Sequence, residues 1–225
     1  YRDSDVTIGI IDGGISDDNQ FLRPYVVARK EYVDKAYQNP QHATFIASTI
    51  QYGNILNNIS TSTAYRFKFV DIVAIPNSDA DFGLTDSITE DDLMEIIEEV
   101  MEEYSSTTKI WNLSLGIENK PCDGLMSDLG VFLDYIQDTY HVQVFVSIGN
   151  VNSLPFRNWP PQKDIEEHDR LISPADSVRA ITVGSVALFD SADSIVKFNE
   201  PSPFSRRGPG ANYIVKPDIV DYGGN

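Results

Sequence analysis

Short, nearly continuous apolar runs alternate along the chain with longer amphipathic ones. Residues 6–11 (Val6, Thr7, Ile8, Gly9, Ile10, Ile11) form such a run. It suits a strand covered on both faces. Asp12 follows, and then Gly13 and Gly14, which end the strand by letting the backbone turn. Residues 16–40 are polar and read as irregular. Beyond His42, the residues Phe45, Ile46 and Ile50 fall at helical spacing, which predicts a helix with His42 in its first turn. Residues 54–63, rich in Asn, Ser and Thr, read as a loop, and residues 67–75 as a second strand. Thr89-Glu90-Asp91-Asp92 opens a helix with a capping-box-like pattern. Leu93, Ile96, Ile97, Val100, Met101 and Tyr104 keep its period. The acids between them, Glu95, Glu98, Glu99, Glu102 and Glu103, read as a solvated face and not as a metal site. Residues 109–113 predict a short strand. A second amphipathic helix is expected over 125–140, through Leu129, Phe132, Leu133 and Ile136. Residues 142–148 predict a buried strand that ends at Gly149-Asn150. Residues 152–170, with Pro155, Pro160 and Pro161, read as a long surface loop. Strands are expected at 180–186 and 215–220, with a turn at 204–210 between them.

Strands that alternate with helices imply βαβ units and right-handed crossovers. The expected class is α/β: three layers, a mostly parallel central sheet and helices on both faces. No repeat or low-complexity linker divides the sequence, so residues 1–225 are expected to belong to a single domain. In this architecture the strand ends share one edge, where sites form. Asp12, Ser114 and Asn150 each follow a strand end, and His42 begins the element after the first strand. These residues are therefore expected to gather on that edge.

Composition narrows the classes. With 41% hydrophobic and 23% charged residues, the chain is globular in type and not disordered. No apolar run approaches the ~18 residues needed to span a bilayer, so no membrane segment is expected. A net charge of −17 argues against a nucleic-acid partner, because phosphate binding needs clustered Lys and Arg. A generally acidic surface accounts for that charge. Cys122 is the one cysteine, so no intramolecular disulfide is possible. That fits a reducing, cytoplasmic compartment, with secretion as the alternative. Tyr1 is not an initiator, so the chain is expected to be an excised or processed piece.

An acid, a histidine and an Asn after Gly are parts of an acyl-transfer site. Neutral imidazole can take a proton from a hydroxyl nucleophile. A carboxylate can hold the imidazole tautomer and stabilise the imidazolium. A carboxamide can donate to the oxyanion of a tetrahedral intermediate. The helix dipole disfavours a proton on His42 in a first turn, and Asp12 opposes that effect.

In these segments the chain resembles the subtilisin-like serine peptidases, the subtilase family. The run ending Ile11-Asp12-Gly13-Gly14 is similar to the family's aspartate segment. Gln41-His42-Ala43-Thr44-Phe45-Ile46-Ala47 resembles its His-Gly-Thr-His-Val-Ala segment. Ile110 to Gly116 resembles the substrate strand, and Val144 to Asn150 the segment whose Asn meets the oxyanion. Later matches are Ser173-Pro174-Ala175, Phe204-Ser205-Arg206-Arg207-Gly208-Pro209 and Val215-Lys216-Pro217-Asp218-Ile219. The resemblance implies a serine endopeptidase acting on peptide or protein substrates. It assigns Asp12 as triad acid, His42 as base and Asn150 as oxyanion donor. It also implies that Ser114, Leu115, Gly116, Ser147, Ile148 and Gly149 line the bound peptide. No cofactor or metal is implied by these segments.

Three departures stand out. Gly13 takes the place of the family's Ser or Thr, and Ala43 the place of a Gly. The family's Gly-Thr-Ser nucleophile segment is absent from these residues, and neither Ser114 nor Ser205 precedes a suitable apolar helix. The serine is therefore expected beyond residue 225, in a longer parent, and the chain alone is expected to be inactive. A catalytically dead peptide-binding module of the same fold is the alternative. A nucleotide-binding doubly wound domain is disfavoured, because no Gly-x-Gly-x-x-Gly opens a helix after the first strand. Asn54, Asn57 and Asn58, with Leu56 to Ser60, are faintly similar to a calcium loop of some subtilases. Their oxygens are neutral, so calcium is not expected there. His141 reads as a helix-end residue and His168 as a solvated loop residue. Oligomeric state has no signature in the sequence.

Overall fold

A computed structural model of the chain describes residues 2–59, 65–117, 120–152, 154, 156–160 and 169–224. They fall into two compact units: Tyr1–Leu113 with Asp138–Gln143, and Ser114–Gln137 with Val144–Asn225.

In the first unit, β1 (Arg2–Asp12) is flanked by β3 (Tyr65–Val73) on one side and β4 (Ile110–Leu113) on the other. β2 (Val26–Glu31) adds to the outer side of β3, and all these pairs are parallel. Ile10 and Ile11 are buried, as a strand covered on both faces requires. β2 lies inside the stretch expected to be irregular, and this is a correction to the sequence reading. It pairs with β3 alone and alternates irregularly between half-buried and exposed positions. Its charged end, Arg29-Lys30-Glu31, masks the strand pattern.

Helix α1 (Gln41–Leu56) outruns its sequence estimate. Its buried face is Ala43, Ala47 and Gln51, spaced four apart, with Ile46 and Ile50 at the margin. The two alanines let the helix sit close to Ile10, Ile15, Leu22 and Phe69. Phe45, one of the three apolar residues at helical spacing, is 66% exposed. The buried Gln51 accepts the Phe67 N–H through Oε1, which caps the inner start of β3. Helix α2 (Glu90–Tyr104) begins as expected: Thr89 caps the Asp92 N–H, and its hydroxyl donates to the Asp92 carboxylate. Leu93, Ile97, Val100 and Met101 are buried. Each contributes about 1.5–3 kcal/mol of burial. On the outer face, Glu99 and Glu103 both bind Lys30 of β2, at 2.8 and 2.5 Å.

In the second unit, the parallel order is β5 (Gln143–Ser147), β6 (Ile181–Val186), β7 (Ile219–Tyr222). β7 starts four residues later than the run expected from Val215. Buried Lys216 precedes it, donating to the Ala180 carbonyl and pairing with Asp218. Helix α3 (Asp128–Tyr140) buries Leu129, Leu133 and Ile136. Ser127, just before it, is bound by the Asp176 carboxylate through both its N–H and its hydroxyl. His141 closes α3 with a left-handed φ of 53°.

Candidate active site

Asp12 is the last residue of β1, and its placement follows from the turn behind it. Gly13 is required there: a Cβ on it would stand 2.4 Å from the Asn39 carbonyl oxygen, a backbone atom. Gly14 has φ +92°, and a Cβ there would meet Val73 at 2.8 Å. Loss of the hydroxyl that the family carries at Gly13 is thus enforced by the Asn39 backbone. The Gly13 N–H itself donates to Asp12 Oδ1 at 2.6 Å, so that oxygen is not left without a donor. The Asp12 carbonyl accepts the N–H groups of Ala74 and Ile75 at the end of β3. One carboxylate oxygen remains, and it faces His42.

His42 Nδ1 lies 2.6 Å from Asp12 Oδ2. An ionised carboxylate only accepts, so Nδ1 carries the hydrogen and Nε2 of the neutral ring is the basic nitrogen. Asp12 is buried, whereas the His42 side chain is 56% exposed. The hydrogen bond to Asp12 raises the His42 pKa above its ordinary value, against the burial that lowers it. The carboxylate therefore outweighs burial. Ala43, the second departure, puts its methyl in the core beside Ile10 and Phe69.

Residues that sequence reasoning did not single out hold this turn. Asp71 of β3 is completely buried and pairs in register with Ile10. Its two oxygens lie 3.1 and 3.0 Å from the Ile15 nitrogen, which donates to them. Arg29 Nη1 donates to Asp71 Oδ2 at 2.7 Å and to the Ile15 carbonyl at 2.6 Å. The Ser16 N–H donates to Thr44 Oγ1 at 2.8 Å, two residues past His42. Burial pushes the Asp71 carboxyl up to about 6, against the Ile15 N–H and Arg29, which pull it down. One signal was available in the sequence: Asp71 is a lone acid inside an apolar strand. Before His42, the Asn39 carboxamide donates to Asn77, and its oxygen accepts the Gln41 N–H.

In the second unit, Ser114, Leu115 and Gly116 leave β4 half-buried. Ser147, Ile148 and Gly149 end β5, with the Ile148 N–H on the Val183 carbonyl and the Gly149 N–H on Ser147 Oγ. The two segments meet at one side chain. A Cβ on Gly116 would stand 2.5 Å from Ile172, and one on Gly149 would stand 2.6 Å from it. Asn150 is exposed, and its backbone bridges to Ser205 while its carbonyl accepts from Arg206 Nε. Of the residues similar to a calcium loop, Asn54 lies within α1, and Asn57 is its C-cap with Nδ2 on the Gly53 carbonyl. Ser60 and His168 lie outside the described residues. Cys122 is buried, its thiol on the Leu125 carbonyl.

With the geometry in hand, a family model described as the subtilase family matches residues 3–225. An uncharacterized protein, y4bN of Sinorhizobium fredii (strain NBRC 101917 / NGR234), is 34% identical over 149 residues, covering 59% of this chain and 34% of that protein. Among solved structures, the prenylagaramide maturation protease PagA is similar with a TM-score of 0.57 at 16% identity, over 97% of this chain and 63% of that one. The patellamide maturation protease PatA gives 0.55 at 20% identity, over 99% and 67%. The subtilisin-like protease Apa1 of an Antarctic Pseudoalteromonas gives 0.55 at 17%, over 97% and 41%. At these identities the likeness shows the fold: a three-layer, subtilisin-like α/β fold with a mostly parallel sheet. The chain spans about a third (34%) of the length of y4bN and 63% of PagA.

Proposed function

The chain belongs to the subtilase family, and from that premise we propose that Asp12 and His42 are the acid and base of a serine endopeptidase triad. The family acts on peptide or protein substrates. The observation that carries the assignment is the 2.6 Å contact between His42 Nδ1 and Asp12 Oδ2, with the ring half in solvent. The serine lies beyond residue 225, in a longer parent whose one peptidase domain includes residues 1–225.

The serine hydroxyl attacks the scissile carbonyl while His42 Nε2 takes its proton. Asp12 stabilises the imidazolium through Nδ1–H. The carbonyl oxygen becomes an oxyanion, and Asn150 donates its carboxamide N–H to it. His42 returns the proton to the leaving amine, and water then releases the acyl group by the same steps in reverse. Ser114, Leu115, Gly116, Ser147, Ile148 and Gly149 hold the bound peptide. Without the serine the chain binds but does not hydrolyse.

Labelling with a fluorophosphonate tests this. The 225-residue chain should remain unlabelled. A folded longer parent should be labelled at a serine after residue 225, and His42→Ala should abolish that labelling. Labelling of the 225-residue chain would place the nucleophile inside it and overturn the assignment. No labelling of the folded parent would favour a peptide-binding module that has kept the fold.

A further inference from the structure

We infer that Asp71, Arg29 and Thr44 form a positioning clamp on Ile15 and Ser16 that holds the Asp12 carboxylate against the His42 ring. The inference rests on the Asp12–His42 reading above and adds the device that keeps the two aligned.

A carboxylate at a strand end swings about two side-chain torsions, and the turn behind it decides where it points. Two glycines in succession make that turn pliable. The structure removes that freedom from three sides. Asp71 accepts the Ile15 N–H with both oxygens. Arg29 takes the Ile15 carbonyl with the same nitrogen that binds Asp71. Both backbone polar groups of Ile15 are thereby spent on one ion pair. Thr44 takes the next N–H, that of Ser16, from the first turn of the helix that carries His42. The turn after the acid and the helix of the base are thus bonded directly. The Asp12 carbonyl is fixed on β3, and its Oδ1 is fixed by the Gly13 N–H.

The ion pair is unusual in its cost. Asp71 has no exposed surface, and burying a carboxylate is unfavourable unless it is paired and hydrogen-bonded. Replacing such a pair with apolar groups is often neutral or stabilising. An aliphatic side chain would suit the apolar register of β3 at this position. What an aliphatic residue cannot do is grip the backbone of Ile15, directly after the two glycines. Arg29 has further partners in Glu31, whose oxygen lies 2.7 Å away, and Asp17 at 3.5 Å. It therefore stays fixed when one contact loosens.

The readout is the His42 ring itself, followed by ¹⁵N NMR in the 225-residue chain, where no nucleophile is needed. The unsubstituted chain should show the Nδ1–H tautomer, a low-field Nδ1 proton and a titration midpoint above 6.5. Asp71→Asn keeps shape and one acceptor but drops the charge. Thr44→Val keeps shape and drops the acceptor, without leaving a buried charge. Each should weaken the low-field proton and move the midpoint down by about 0.5 pH. Thr44→Ser should restore both. Should Asp71→Asn fail to fold, Thr44→Val and its rescue decide the matter. A His42 signal and midpoint unchanged in the folded variants would reduce these residues to structural support and overturn the inference. Asp12→Asn separates the two levels. If it leaves the His42 midpoint in place, the Asp12–His42 assignment itself fails. If it moves the midpoint while the clamp variants do not, only the clamp fails.

Discussion

Two strand ends in this molecule carry the candidate chemistry, and they are built in opposite ways. β1 ends at Asp12 and turns through Gly14, while β5 ends before Gly149, and both glycines have φ +92°. At the first turn the side chain of the candidate residue is committed: Asp12 holds Gly13 with one oxygen and His42 with the other. The supports are charged and polar side chains, Asp71, Arg29 and Thr44. At the second turn the backbone is committed. The Val151 N–H binds the Phe204 carbonyl, the Arg206 N–H binds the Gly149 carbonyl, and Asn150 bridges to Ser205. The Asn150 side chain stays exposed. A group that orients a base must itself be held throughout the cycle. A group that meets a charge formed only in the transition state must be held by its backbone and keep its donor available.

The largest expected effects compare the two turns as chemistry, in the longer parent. His42→Ala should lower kcat/KM by about 10⁶-fold, as loss of a triad base does. Asp12→Asn should cost about 10⁴-fold, because the remaining amide holds the wrong tautomer. Asn150→Leu at the second turn should cost only ~10²–10³-fold. Steady-state kinetics on a peptide substrate give all three values. An Asn150 effect as large as that of His42 would break the division of labour between the turns.

The next contrast is mechanical. Gly13→Ala drives its methyl into the Asn39 carbonyl, a backbone oxygen that cannot step aside. Overpacking of this kind costs about 1–3 kcal/mol, and here the upper end is expected. Gly149→Ala meets the Ile172 side chain at 2.6 Å in addition to its left-handed φ. A side chain can be trimmed where a peptide cannot. Combined with Ile172→Ala, the Gly149→Ala cost should therefore fall short of the sum by about 1 kcal/mol. Denaturant melts of the single and double variants measure this. Strict additivity would remove Ile172 as the shared obstacle of Gly116 and Gly149.

How much of this was legible in the sequence depended on how local the cause was. The helix at Thr89 is set by its own cap and its own apolar period, and its cap and its buried Leu93, Ile97, Val100 and Met101 came out as expected. The contact between Asp12 and His42 was legible because each sits in a short segment of characteristic order. β2 was missed because an edge strand ending in Arg29-Lys30-Glu31 buries no clean face. The buried face of α1 was blurred because Ala43 and Ala47 do its close packing while carrying little hydropathy. The clamp was out of reach for a different reason. Ile15 and Asp71 are 56 residues apart, and only the β1–β3 register brings them together. A lone acid in an apolar strand marks a buried partner without saying which one.

Proton linkage should sharpen the comparison further, because His42 and Asp71 both lie at the first turn. His42 has a raised folded pKa. Its contribution to stability is present below its unfolded value of about 6.5 and is lost as pH rises through the folded value. Asp71 is also raised, to about 6 from 3.8, so its contribution is full below 3.8 and is lost as pH passes 6. The two losses have the same sign, and both belong to the first turn. Amide-exchange protection at Ile15, whose acceptor is the titrating Asp71 carboxylate, should change between pH 4 and 8 by more than at Val151 and Arg206. Those two amides donate to backbone carbonyls, which do not titrate. Equal changes at both turns would mean that pH acts on the whole fold and not on the clamp.

The smallest effect concerns Asn150 as a structural residue. Its side chain is exposed, while its backbone is held at Ser205 and by Arg206 Nε on its carbonyl. Truncating an exposed side chain away from a cap or a buried network shifts stability by no more than about 0.5 kcal/mol. Asn150→Ala should thus leave the melting of the chain nearly unchanged. Asp12→Ala, by contrast, strips the Gly13 N–H and His42 of their shared acceptor in a buried setting, where an unmade hydrogen bond costs about 1–3 kcal/mol. The same pair of substitutions in the longer parent should both impair turnover. A residue whose loss is silent in folding and costly in turnover is one held ready for a charge that exists only during the reaction. If Asn150→Ala destabilised the chain as much as Asp12→Ala, its carboxamide would already be committed in the resting fold and could not serve as the oxyanion donor.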